Sequence, residues 1–241
     1  MAKKMVESCR PEGQVVVEIG AGLGALTLPL SEKAKKVVAL EIDRKLASLL
    51  RRKVANRKNV EVVIENALIF DYAKLGKITV IGNLPFYLSS PLLFRFVELK
   101  EHILLMVLTL QREVAERVIS PPGRKDYGVL SVFCQLHFEV ELLFTIPPES
   151  FRPPPKVEAA VVRFVPLENP KVEGGPLFEK VVRTSFALRR KTLRNALKEL
   201  FPAAERALQL ANIDPRRRGE TLSLEEFARL SQTLQGVAQG S

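Results

Sequence analysis

The 241 residues predict an α/β protein: an open, doubly wound sheet, mostly parallel, followed by a small all-α C-terminal domain. Three observations lead there. Five short β-branched runs recur through the first two thirds of the chain. Each is apolar throughout rather than alternating, as strands covered on both faces are. Stretches with apolar residues at helical spacing separate them, so the repeating unit is βα. After Pro176 the pattern is helical only.

The strands are expected at 15–19, 37–41, 60–64, 78–81 and 103–109, with helices at 23–30, 43–54 and 91–99 between them. A helix at 112–119, the turn PPGRKDYG and a further helix come next. Two more strands, 137–145 and 159–165, bracket PPESFRPPPKVE and form a hairpin-like pair of antiparallel strands at the sheet edge. The segment ENPKVEGGP is a linker by composition. The division is therefore a domain over 1–167, a linker over 168–176 and a helical domain over 177–241. Its helices are expected at 177–187, 192–200, 203–211 and 224–234, the last with Ser223 as N-cap and Glu225 and Glu226 in its first turn.

Composition narrows the function classes. At 46% hydrophobic the chain buries a proper core. The opening MAKKMVESCR is charged and no apolar targeting region follows it, and the longest apolar run, 103–110, is too short to cross a bilayer. Cys9 and Cys134 are read as reduced thiols in a cytosolic protein, and with only His102 and His137 no metal site is expected. The net charge is +10, and residues 175–241 contribute half of it with 12 basic and 7 acidic side chains. Such a balance suits a polyanionic partner such as nucleic acid, or simply a solvated charged surface.

VVVEIGAGLGALTLPL reads as a strand, a glycine turn and a helix start. Gly20 and Gly22 permit close backbone approach of a ligand to free N–H groups. Gly20, Gly22 and Ala25 satisfy G-x-G-x-x-A, and Glu41 follows at the end of the second strand, placed to accept from ribose hydroxyls. This pattern serves dinucleotides and S-adenosylmethionine alike, or a purely structural turn. Glu18, two residues before the first glycine, and Glu65-Asn66-Ala67 at the end of the third strand favour S-adenosylmethionine.

IGNLPFYLSS decides between them. Adenine's exocyclic amine is a poor nucleophile because its lone pair is delocalised into the ring. Acceptors aimed at both its hydrogens favour a pyramidal nitrogen that attacks. The Asn83 amide oxygen and the Leu84 carbonyl supply two such acceptors, Pro85 holds them, and Phe86 offers a stacking face. No charged base is required, unlike His or carboxylate catalysis. The alternative is a strand-ending Asx turn with a core Phe.

The chain resembles the KsgA-type ribosomal RNA adenine dimethyltransferases. The segments that carry the resemblance are VVEIGAGLGALT, ALEID, ENAL, VIGNLPFYLSSPLLF, LQREVAERV, DYGVLSV, PPESFRPPPKVEAAVVRF and SFALRRKTLRNAL, in the family's order over nearly the whole chain. The resemblance implies a class I methyltransferase domain with a Rossmann-like sheet and S-adenosylmethionine as cofactor. It implies that Glu18, Gly20 and Gly22 contact the methionine part, that Glu41 binds the ribose, that Ile42 packs on the adenine and that Asn66 and Ala67 meet its edge. Asn83, Leu84, Pro85 and Phe86 then form the target-amine site, with Phe151 stacking on the target base's other face. Asn66 stands where the family usually has Asp, and Phe86 where it usually has Tyr. Binding weakened but not lost is expected from the first, and stacking that survives from the second. The family's upstream Gln-Asn/His-Phe-Leu motif, which helps close the cofactor pocket, is not found in these residues; either the sequence is shortened or the form is naturally short, and weak cofactor binding is the expectation.

Arg190 and Arg194 are expected one helical turn apart, with Arg189 and Lys191 beside them. Arg124, Lys125, Arg152 and Lys156 are further candidates for an RNA track. Each cluster alone reads equally as a solvated face. The expected activity is N6,N6-dimethylation of two adjacent adenosines in a loop of small-subunit rRNA, within a 30S-type assembly intermediate. The expected protein is a cytoplasmic monomer without membrane contact. The rivals are a large-subunit rRNA dimethyltransferase of the antibiotic-resistance type, a non-catalytic assembly or transcription factor of the same fold, and a dinucleotide oxidoreductase.

Overall fold

The structure, a computed structural model, describes residues 1–151 and 154–239. Its contacts define two compact units. The first joins Met1–Ala115 to Glu139–Pro166; the second joins Glu116–Phe138 to the residues from Leu167 onward.

The first unit is built on seven strands: β1 (Val15–Ile19), β2 (Lys36–Leu40), β3 (Val60–Val63), β4 (Ile78–Asn83), β5 (Ile103–Gln111), β6 (Phe138–Ile146) and β7 (Ala159–Pro166). Their order is β3-β2-β1-β4-β5-β7-β6. β1 runs parallel to both β2 and β4, with Val17 opposite Val38 and Val80, and β4 runs parallel to β5. Val16, Val17, Val37, Val38, Val80 and Ile81 are fully buried, which is why these runs carry no polar alternation. The strand order reverses beside β1, opening a crevice at the carboxyl ends of β1 and β4.

Helices α1 (Ala2–Ser8), α2 (Thr27–Ser31), α3 (Arg44–Lys53), α4 (Ser89–Glu98) and α5 (Arg112–Ile119) accompany the sheet. The helix expected from residue 23 begins only at Thr27. Gly22 and Gly24 take φ of +54° and +88°, so residues 22–26 turn instead of winding. The expected edge strands are present, but β7 is the one that pairs antiparallel with β5, Met106 opposite Phe164, and β6 lies beyond it. Burial explains this order: Ala159–Val162 are all fully buried, whereas β6 alternates and half-exposes its middle, as an edge strand does.

The second unit contains α6 (Val129–His137), α7 (Pro176–Ala187), α8 (Leu193–Leu197), α9 (Ala204–Leu210) and α10 (Leu224–Gln239). Tyr127, Phe186, Phe227 and Phe178 form a chain of ring contacts with centroids 5.9–6.4 Å apart. Ser223 and Glu226 close a capping box on α10, Glu226 N–H donating to Ser223 Oγ at 3.2 Å and Ser223 N–H to Glu226 Oε2 at 2.9 Å. The unit is not contiguous in sequence as the expected boundary was. Residues 116–138 belong to it through contacts such as Leu167 N–H to the His137 carbonyl, which linker composition does not reveal.

The break expected between the helices at 177–187 and 192–200 is present, and it undoes the one-turn spacing expected of Arg190 and Arg194. Residues 188–192 turn, because Thr192 is extended and Leu193, Ala196 and Leu197 face the unit's core. Arg190 and Arg194 therefore do not share a helical face.

Candidate active site

A cavity of about 230 Å³ opens at the carboxyl ends of β1, β2 and β4. Ile19 and Gly20 form one wall, Leu40, Glu41 and Ile42 the next, Glu65, Asn66 and Ala67 a third, and Asn83, Pro85, Tyr87 and Leu88 the fourth. Larger hollows occur at Cys9–Arg163 and at Gly174–Gln232, but neither touches these strand ends.

The glycine turn is fixed by its own backbone. Gly20 has φ +71°, a conformation that favours glycine, and a Cβ there would stand in ordinary contact, 3.4 Å from the Asn83 carbonyl. The N–H groups of Gly20 and Ala21 both donate to the Leu40 carbonyl, at 3.0 and 3.1 Å. Gly22 N–H donates to Glu41 Oε2 at 2.8 Å, and Asp43 N–H to Glu41 Oε1 at 2.9 Å. Glu41 thus links the turn to the start of α3, and each oxygen keeps a second lone pair for a ribose hydroxyl.

Glu18 does not line the cavity. It is 1% exposed and accepts from Thr27 Oγ1 at 2.5 Å, and burial pushes its carboxyl up to about 8. Its bond to Thr27 braces the first strand against α2. Gly22 is likewise not among the lining residues. Asn66 lines the cavity, but its Oδ1 accepts from Leu68 N–H at 3.0 Å in an Asx turn. One lone pair of the oxygen expected to receive an adenine amine is thereby engaged by the chain; the other, and the amide's own N–H donors, remain.

Asn83 ends β4 with its carboxamide exposed and free of any hydrogen bond among the described residues. Leu84 is held directly behind it, its side chain buried and its N–H donating to the Thr109 carbonyl at 3.2 Å. Pro85 (φ −55°) starts a tight turn in which Leu88 N–H donates to the Pro85 carbonyl at 2.9 Å. Phe86 stays outside the cavity wall, 38% exposed; Tyr87 and Leu88 form it instead. Tyr87, 76% exposed, is the aromatic that sequence reasoning passed over in favour of the ring next to the proline. Phe151 is partly buried against the cluster of Met5, Ile81, Val107 and Ile146 and does not line the cavity.

The basic candidates separate too. Arg152 lies outside the described residues, and Lys156 is exposed without a partner among them. Arg189 is a clamp inside the second unit: it donates to the Lys125 and Tyr127 carbonyls and lies 3.4 Å from Glu220. Arg194 pairs with Glu205 at 3.3 Å. Arg124, Lys125, Arg190 and Lys191 project their charge to solvent, unpaired among the described residues.

A family model for ribosomal RNA adenine dimethylase matches residues 2–236. The chain belongs to that family. Among the dimethylase's relatives, a ribosomal RNA small subunit methyltransferase A of Geobacter metallireducens is 42% identical over 241 residues, covering 95% of this chain and 87% of that one. Its namesake in a Geobacillus species is 42% identical over 238 residues, covering 92% and 82%. A dimethyladenosine transferase from Plasmodium falciparum superposes with a TM-score of 0.82 at 25% identity over 95% of this chain and 93% of that one. The 23S rRNA methyltransferase ErmE does so at 0.74 and 27%, over 97% and 96%.

The dimethylase's methyl donor is S-adenosylmethionine, and the cavity fits it. The bare Gly20 backbone, the remaining lone pairs of Glu41 and the exposed face of Ile42 suit a nucleoside with a charged tail, and Asn66 and Ala67 line the same cavity.

Proposed function

We propose that the dimethylase transfers methyl groups to the N6 atoms of two adjacent adenosines in a small-subunit rRNA loop, modifying each twice. The free Asn83 carboxamide at the cavity mouth carries this reading. Its oxygen accepts one amine hydrogen and the Leu84 carbonyl accepts the other, so the nitrogen's lone pair turns toward the cavity. Bound there, S-adenosylmethionine supplies a sulfonium methyl group. Pro85 and the buried Leu84 side chain keep the two acceptors at fixed spacing, which lowers the entropy lost on alignment. Tyr87 and Phe86 offer faces for the base, and Phe151 serves only after its loop leaves the core cluster. The amine's proton becomes acidic once the methyl has arrived and passes to solvent. The target adenine enters unpaired, because a paired amine cannot reach a walled site.

Small-subunit rRNA is favoured over large-subunit rRNA by the relatives: those named for the small subunit reach 42% identity, against 27% for ErmE. The substrate particle is a 30S-type assembly intermediate, bound by a cytoplasmic monomer. Labelled methyl transfer to undermethylated small subunits tests the reading. Incorporation at adenine N6 by the parent, absent in Asn83→Ala, supports it; no transfer to these particles contradicts it.

A further inference from the structure

Residues 44–58 carry seven Lys or Arg and no acid. The structure divides the seven. Arg51 donates to the Val62 carbonyl, Lys53 to the Leu23 carbonyl, both at 2.9 Å, and Arg57 to Ser31 Oγ at 2.5 Å, so these three tie α3 and its following turn to neighbours. Arg44, Lys45, Arg52 and Lys58 are exposed, and their side chains form no hydrogen bond or ion pair among the described residues. At 3.6 residues per turn, Arg44, Ser48, Arg52 and Lys45 fall within an arc of about 100°, and Arg44 and Arg52 stand about 12 Å apart along the axis. The opposite side buries Ala47, Leu50 and Val54. The arc starts beside the candidate site, because Asp43 caps α3 immediately after Ile42, accepting from Lys45 N–H at 2.7 Å and Leu46 N–H at 3.0 Å.

We propose that this arc holds a stretch of the RNA substrate's phosphodiester backbone, a contact distinct from the adenine site and from the basic residues of the second unit. It rests on the dimethylase's action on RNA. Unpaired cations in a row without intervening acid complement a polyphosphate. Ser48 rather than an apolar side chain sits between them, so a lipid surface, which needs apolar groups on the same arc, is a poorer match.

The test compares parent with Arg44→Gln/Lys45→Gln/Arg52→Gln/Lys58→Gln in binding undermethylated small subunits across a potassium chloride series. Each lost phosphate contact lowers the slope of log K against log salt by about 0.7–0.9, so loss of about 3 slope units for the four cations and at least tenfold weaker binding is expected. S-adenosylmethionine affinity and thermal midpoint stay at parental values. An unchanged slope in the variant overturns the inference, as does a loss of binding confined to anionic phospholipid vesicles. A parent that neither binds nor methylates the particles overturns the function reading and this inference with it, so the two failures are distinguishable.

Discussion

Asn83 is exposed, unpartnered among the described residues and anchored through Leu84 to the middle of the sheet. A side chain so placed contributes little to stability, and the proposed function gives it the reacting amine to hold. Asn83→Ala is expected to lower turnover about 100-fold or more, the scale of losing one preorganised group, with stability unchanged. Asn66 makes a second prediction. Because its oxygen serves Leu68, Asn66→Asp keeps that bond and adds a free acceptor, and calorimetry should show cofactor affinity rising by about tenfold, the scale of one charge-assisted hydrogen bond. Glu18 yields a third. Its carboxyl is raised from 4.5 to about 8, so the stability tied to its protonated form is full below pH 4.5 and lost as pH rises through 8. Glu18→Gln cannot ionise; its thermal midpoint relative to the parent should climb between pH 5 and 8, and a constant difference would contradict this. Asn83, Leu84 and Pro85 were legible because they adjoin in sequence and their chemistry is local. The placement of Glu18 and Phe151 was not, because which side of a wall a side chain takes depends on packing partners far away in the chain.

The five central strands were legible as elements, since burial on both faces leaves an unbroken apolar run. The late start of α2 was not: two positive-φ glycines delay it, and their conformation is set by the turn rather than by apolar spacing. β4 shows how tightly elements meet at the site. A Cβ on Gly82 would lie 2.7 Å from the Ile19 carbonyl on β1. Gly82→Ala must push a pair of bonded strands apart just below Asn83 and is expected to cost about 1–3 kcal/mol, read as a lower denaturant midpoint. An unchanged midpoint would mean that the strands have slack.

The chain divides into two compact units, and the second is assembled from segments that the sequence keeps apart. The triple arginine 216–218 illustrates what composition conceals. Arg217 donates to Thr221 and Glu226 and is two thirds buried; Arg216 pairs only with Asp214 at the surface, among the described residues. Arg217→Ala should cost about 1–3 kcal/mol in thermal unfolding, through the loss of several charge-assisted hydrogen bonds, while Arg216→Ala leaves stability nearly unchanged. The net charge of +10 is thus partly structural and only partly available to RNA. The proposed function turns on one event, the presentation of an unpaired adenine amine to Asn83. Mass mapping of rRNA from undermethylated small subunits, treated with parent or Asn83→Ala protein and S-adenosylmethionine, measures that event. Two neighbouring N6,N6-dimethyladenosines with the parent and none with the variant is the predicted result; equal dimethylation by both proteins would contradict it.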